Sequence, residues 1–533
     1  GGESALSTLR PTFMGFDVAK RGIMTAQKGI DITGQNLVNW DSAGYTRQRV
    51  EQVAVGVNPY TSRYGSNRIG TAGQGVDILG IGQTRDKFLD ARFRELTSEA
   101  SYYDQAQKIL GDLESVISDF EPDSDSGIGA MLNGILNALQ PDTEQADSET
   151  YASLVRSAFK DMTQTLQYLS GKLDRVAEQQ KFDLEVSVEN FNQILEKISG
   201  LNEVISNDRN VLQNSHYGPN ELLDERNYLL DQLAQYGEIG VTTNVDGTVT
   251  IEMDGHTILD GSKYDAMEMS ENPNGTVVLK WVSSGDKIQV TDGILKATTD
   301  FLNGRGPNII QEGETTYRGV RYYQDALDIF AHQLVEVANN SIPNYQVDAA
   351  GELILDADGN PVLDPDQPYR KLLGSISDQP DANGKYVVDP DGPVTADNIS
   401  ITDEWNADAS YFVARKDSLD NKYVVDLYNK LKNDDNVFQG RGESFTGTFK
   451  DYLTGYSATL AQDQNYYKNR LQSSNNLLYT TEDSRDEVSG VVMDEEVANM
   501  MLYQKSLQAA SRLMTTLDEA LDVLINKTGI VGR

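Results

Sequence analysis

Three histidines, at His216, His256 and His332, and 82 carboxylates are the groups in this 533-residue sequence best suited to acid, base or metal chemistry. The histidines stand far apart, and none has a second histidine at helical spacing, so a zinc site of the HExxH type is excluded. There is no cysteine, which removes disulfides, zinc thiolates and thiol nucleophiles together. Asp356-Ala357-Asp358-Gly359-Asn360 looks like the start of a calcium loop. It fails that pattern, because its glycine comes fourth and its twelfth residue is Gln367. It reads as a hairpin turn, as do Asn383-Gly384 and Asp391-Gly392. Gly171-Lys172 and Gly384-Lys385 lack the upstream glycine and the following hydroxyl of a phosphate loop, and no GxSxG or GxGxxG run occurs. With so many acids, no single carboxylate pair is informative. Nothing here argues for an enzyme, and no cofactor is expected.

The same acids outnumber 45 lysines and arginines, giving a formal net charge of -37. That opposes phosphate backbones and anionic lipid, so neither nucleic acid nor membrane is an expected partner. No apolar run reaches the roughly 18 to 20 residues of a membrane span.

The elements that place these residues are mostly helical. Phe16, Ala19, Ile23, Ala26, Ile30, Thr33 and Leu37 alternate spacings of three and four, which predicts a heptad helix over 12 to 40. An extended segment follows over 45 to 53. At the other end, Met500, Tyr503, Leu507, Ala510, Met514, Leu517, Leu521 and Leu524 repeat the pattern over 494 to 527, with Asp494, Glu495 and Glu496 at the helix start. Further helices are expected over 96 to 117, 128 to 139, 148 to 207, 323 to 337 and 449 to 478. Residues 239 to 260 alternate about Asp246-Gly247 and Asp254-Gly255 as a β-meander, which Val277 to Trp281 and Lys287 to Val290 are expected to extend. Residues 341 to 410 hold 7 of the 14 prolines and 14 acids, reading as a loop-rich outer insertion.

The expected fold class is α+β: terminal helices paired as an antiparallel coiled coil, a long helical bundle discontinuous in sequence, and inserted β-rich domains. The expected domains are 1–60 with 485–533 for assembly, 61–235 with 318–340 and 411–484 as a helical body, 236–317 as a β-rich domain, and 341–410 as the outer insertion.

Two motifs carry a resemblance. Asn36-Leu37-Val38-Asn39 followed by Gly44-Tyr45-Thr46-Arg47, with the closing Asp494-Glu495-Glu496 helix, resembles the flagellar axial proteins. Asn220, Leu222, Leu223, Asp224 and Arg226 resemble the central motif of their hook-associated branch. The likeness covers roughly 13 to 260, 318 to 340 and 395 to 527. Trp40 departs from it, standing where the family tends to carry a small or polar residue. The resemblance implies a non-enzymatic structural protein, exported through the flagellar type III apparatus, that forms the layer between hook and filament outside the cell. Implied partners are copies of itself, the hook protein, the second junction protein (hook-associated protein 3) and a filament-type export chaperone at the C-terminal helix. The alternatives are another axial protein, from hook or distal rod, and a secreted adhesin or enzyme with its active surface in 341 to 410.

Overall fold

The computed structural model describes residues 12–55, 75–121, 123–140, 149–208, 217–308, 311–415 and 422–527. The chain is mostly helical with small antiparallel sheets, and it divides into two compact units. One comprises residues 1–98, 191–266 and 475–533, and the other residues 99–190 and 267–474.

In the first unit, helix α1 (Thr12–Val38) packs along the C-terminal helix α11 (Met493–Asp522). The seam expected on α1 buries Ala19, Ala26 and Thr33, with Phe16, Ile23, Ile30 and Leu37 half-buried. At its end the Asn39 amide donates to the Gln35 carbonyl at 2.9 Å, capping the last turn, and Gly44 at φ 78° turns the chain into a strand. That strand, β1 (Gln48–Ala54), pairs antiparallel with β2 (Val76–Gln83), with a bulge at Glu51/Gln52. Helix α5 (Asn220–Leu233) leads into β3 (Gly240–Thr243), β4 (Val249–Met253), β5 (His256–Asp260) and β6 (Lys263–Tyr264), a four-stranded meander in sequence order. Three long helices contribute residues to both units: α2 (Lys87–Ile117), α4 (Glu149–Ser206) and α10 (Phe449–Ser489).

The second unit has one large apolar core. Leu113 of α2, Leu132 of α3 (Ile128–Leu139), Phe159 and Leu166 of α4, Phe330 and Leu334 of α7 (Val320–Asn339), and Leu453 of α10 meet there, each almost wholly buried. Its remaining helices are α6 (Gly293–Leu302), the short α8 (Asp403–Ala407) and α9 (Lys422–Lys432). Residues of the proline-rich stretch join the core: Ile342, Leu372, Ile399 and Trp405 are buried in it, and Trp405 lies 5.1 Å edge-on to Phe159. The turns of that stretch behave as expected, with Asp356 Oδ1 accepting from the amides of Asp358 and Asn360 at 2.9 and 2.8 Å.

One strand expectation is corrected. Val277–Trp281 (β8) does not extend the meander; it pairs with Met267–Glu271 (β7) as a separate two-stranded sheet. Residues 287 to 290 contribute only an isolated bridge, from Lys287 to Lys280. The remaining strands are β9 (Leu373–Ile376), β10 (Val388–Asp389) and β11 (Ile399–Ile401) in one sheet, and the hairpin β12 (Asn436–Gly440) and β13 (Glu443–Gly447).

Two carboxyls of α7 are held in costly surroundings. Burial pushes Asp325 up to about 7, against the opposing pull of Arg305 at 3.2 Å, and pushes Asp328 up to about 6. Both therefore bind protons more tightly folded than unfolded, so their contribution is present below the ordinary carboxylate range and is lost as pH rises through about 6 to 7. The melting temperature of the second unit is expected to fall between about pH 5 and about pH 8. Asp328→Asn keeps the acceptor for the Ala396 amide at 2.9 Å and should shrink that fall, as read by calorimetry at the two pH values.

Candidate assembly interface

The α1–α11 pair packs closely along a column of glycines. A Cβ on Gly15 would lie 3.0 Å from Leu517 Cδ1, one on Gly22 would lie 3.2 Å from Ala510 Cβ, and one on Gly29 would overlap the Tyr503 ring. The glycines recur every seven residues on α1, and their partners recur every seven, in reverse, on α11. Missing side chains let the backbones approach closely and seat Tyr503 flat on the helix. The next step of the same register pairs Asn36 with Glu496, whose Oε2 accepts from the Asn36 amide at 3.0 Å. The apolar seam was legible in the sequence. The glycine column beside it was passed over, although Gly-x6-Gly-x6-Gly stands in plain view.

Asn36 is fully used. Its amide also donates to the Gln48 carbonyl at 2.9 Å, while its Oδ1 accepts from the Tyr45 hydroxyl at 2.7 Å and the Gln48 amide at 3.1 Å. Burial, reinforced by Asp224 and Glu496, holds the Tyr45 hydroxyl far above its ordinary range, so it remains a donor. Arg47 reaches Glu495 at 2.9 Å and Glu496 at 2.6 Å, and its amide donates to the Ser489 carbonyl at 2.8 Å. The residues of the N-terminal motif thus tie both terminal helices to the start of β1.

The central motif joins the same network. Asp224 accepts from the Thr46 amide at 3.0 Å and from Gln83 at 2.6 Å, and Arg85 donates to the Thr46 hydroxyl at 2.7 Å. Asn220 donates to the Ile81 carbonyl at 3.0 Å. Arg226, drawn down to about 10 by burial and still charged near neutrality, donates to Asn202 at 3.0 Å and to the Gly247 carbonyl at 2.7 Å at a meander turn. Leu222 and Leu223 are half-buried on α5. These motif side chains hold strand and turn backbones in place.

On α11, the expected seam from Met500 through Tyr503, Leu507, Ala510, Met514 and Leu517 to Leu521 is half-buried throughout. Leu524 is a correction, because α11 ends at Asp522 and Leu524 lies in the π-helical turn Val523–Lys527, 53% exposed. Asn39 and Gly44 act at the α1 terminus as described, and Trp40 is exposed. Of the histidines, His256 Nε2 stands 2.7 Å from Asp265 within the meander, His332 is exposed on α7, and His216 lies outside the described residues. Among the described residues no group of three or more histidines and carboxylates could hold a metal ion, and no helix is long and apolar enough to cross a membrane.

Comparison with known proteins finds flagellar proteins throughout. Residues 110–353 match the helical domain of flagellar hook-associated protein FlgK, and residues 483–527 match the C-terminal segment of the flagellar basal body rod FlgEFG proteins. Flagellar hook-associated protein 1 of Bacillus subtilis (strain 168) is 29% identical over 545 residues, spanning 98% of this chain and 99% of that one. Its counterpart in Escherichia coli (strain K12) is 26% identical over 54% of this chain and 50% of its own. The solved flagellar hook junction protein FlgK from Burkholderia pseudomallei shares the fold, at a TM-score of 0.53 and 12% identity over 75% of this chain and all of that one.

The glycine column has a direct test. Gly29→Ala gains helix propensity of about 1 kcal/mol, yet drives a methyl into the Tyr503 ring. It is expected to loosen α11, seen as faster proteolysis beyond Gly490, and Tyr503→Ala in the same chain should restore protection.

Proposed function

We propose, for a chain that belongs to the flagellar hook-associated protein 1 family, that its two terminal helices build the junction wall by packing against those of neighbouring copies. The chain is a non-enzymatic structural component of the flagellum, at the hook–filament junction outside the cell. How it is held there is the proposal.

The observation that carries it is the outer face of α11. Apart from Glu496, no residue of that helix is buried. Away from α1 it presents Ala498, Leu502, Ala509, Leu513 and Ala520, alanine and leucine each recurring every eleven residues. Eleven residues make three turns of 3.67 residues, so the repeat forms a nearly straight apolar stripe, whereas the seven-residue seam faces α1. Leu502 and Leu513 are 60% and 42% exposed. Covering each leucine is worth about 1.5 to 3 kcal/mol, so an exposed row of this kind favours a neighbour over water.

On this reading the partners are further copies of the chain, the hook protein on one side and hook-associated protein 3 on the other. Before export, the same stripe is the surface that a filament-type chaperone would cover.

The discriminating substitutions lie on the stripe. Leu517 and Leu521 face α1, so aspartate there would break the chain's own helix pair. Leu502→Asp with Leu513→Asp leaves that pair and the second unit intact. Thermal melting of the purified double variant is expected to match the parent, while incorporation into flagella, followed by microscopy, is lost. Normal incorporation would refute the proposed packing.

A further inference from the structure

Within the first unit a cleft of about 1060 Å³ opens between the loop at residues 40 to 45, α5 and the end of α10. Its chemistry is unusual in three respects. Trp40 and Tyr228 line it at 54% and 46% exposure, presenting aromatic faces that packing would ordinarily cover. Asp41, Glu482, Asp483, Asp486 and Glu487 also line it, and none has an ion-pair partner among the described residues. The two arginines present are already engaged: Arg85 binds Asp90 at 2.7 Å, and Arg485 binds Asp231 at 2.8 Å while stacking 3.7 Å above Phe93. Finally, the Ser489 hydroxyl, on a lining residue only 7% exposed, has no hydrogen-bond partner among the described residues. A buried hydroxyl left unpaired costs stability and marks a place where an arriving group would be bonded.

These walls select their ligand. Free carboxylates repel anions, and aromatic faces attract cations and cover alkyl stems. A lysine fits: its ammonium offers three donors for the carboxylates and the Ser489 hydroxyl, and its methylenes lie against the rings.

We propose that the cleft is the socket for the Lys20–Met24–Lys28 face of α1 from a second copy of the chain, an inference that rests on the assembly reading above. Those residues stand at i, i+4 and i+8, on one side of the helix and all exposed, and neither lysine has an ion-pair partner among the described residues. Met24 between them is suited to aromatic contact. Although the chain is strongly acidic, α1 itself carries Lys20, Arg21 and Lys28 against Asp17 and Asp31. Lys28 and Lys20 lie about 15 and about 27 Å along α1 from Val38. Neither therefore reaches the cleft of its own chain at that helix's foot; a copy displaced axially by such a distance presents them to it.

The absence of cysteine makes the test clean. Lys28→Cys and Asp483→Cys chains, co-expressed in cells lacking the parent, should give a covalent dimer in isolated flagella on treatment with a short bismaleimide, and neither should alone. Absence of the dimer overturns the socket. Separately, Asp483→Lys with Asp486→Lys should cut incorporation at least about tenfold, with melting unchanged, and Lys20→Asp with Lys28→Asp in the same chain should restore it. Unchanged incorporation, or a loss that the swap does not restore, overturns the proposal while leaving the stripe on α11 untouched. Incorporation by the Leu502→Asp, Leu513→Asp variant would instead remove the assembly reading on which the socket rests.

Discussion

The rest of the first unit depends on the two ends of the chain meeting in one register. A column of glycines alone would not choose that register, since a repeat of seven offers the same shape after every slip of two turns. The choice is made at the fourth step, where Asn36 meets Glu496. Displaced by one heptad, Glu496 would face Gly29 or leave α1 altogether, and a buried carboxylate would lose both the amide and Arg47. A polar pair in a helix seam gives up some stability relative to an apolar one and in return admits a single alignment.

From that pair the constraint spreads by hydrogen bonds rather than by apolar packing. Asn36 holds both backbone groups of Gln48, Asp224 holds the Thr46 amide, Asn220 holds the Ile81 carbonyl, and Arg226 holds the turn at Gly247. The residues that carry the resemblance in sequence are thus the side chains that satisfy strand and turn backbones where the terminal helices join the body. Each leaves a buried donor or acceptor unpaired if removed, which is why side chains of these types stand there without any reaction to perform.

The helices were legible because each runs for many turns with a sustained apolar period, and the tight turns because Asp-Gly and Asn-Gly demand positive φ. Pairing was less legible. Alternation marked Val277–Trp281 as a strand but could not say that its neighbour is Met267–Glu271 rather than the preceding meander, since both runs offer an apolar face. Composition averaged over 341 to 410 described its acidic turns well and concealed Leu372, Ile399 and Trp405, which are buried in the core. Leu524 continued the heptad in sequence, yet the helix changes to a wider turn at Val523 and carries it off the seam. The contact between Asn36 and Glu496 had no local signature at all, because each residue alone reads as an ordinary helix-end polar group.

Those two residues are 460 positions apart. Closing a loop of that length in a flexible chain costs roughly 3 kcal/mol more than closing one of about 15 residues, by the logarithmic dependence of loop entropy. The cost shrinks once the intervening chain has folded and already holds the two ends near each other. Closing the terminal pair after the body therefore costs less entropy than closing it first. The contact that sets the register of the first unit is thus one that gains from the rest of the chain having folded.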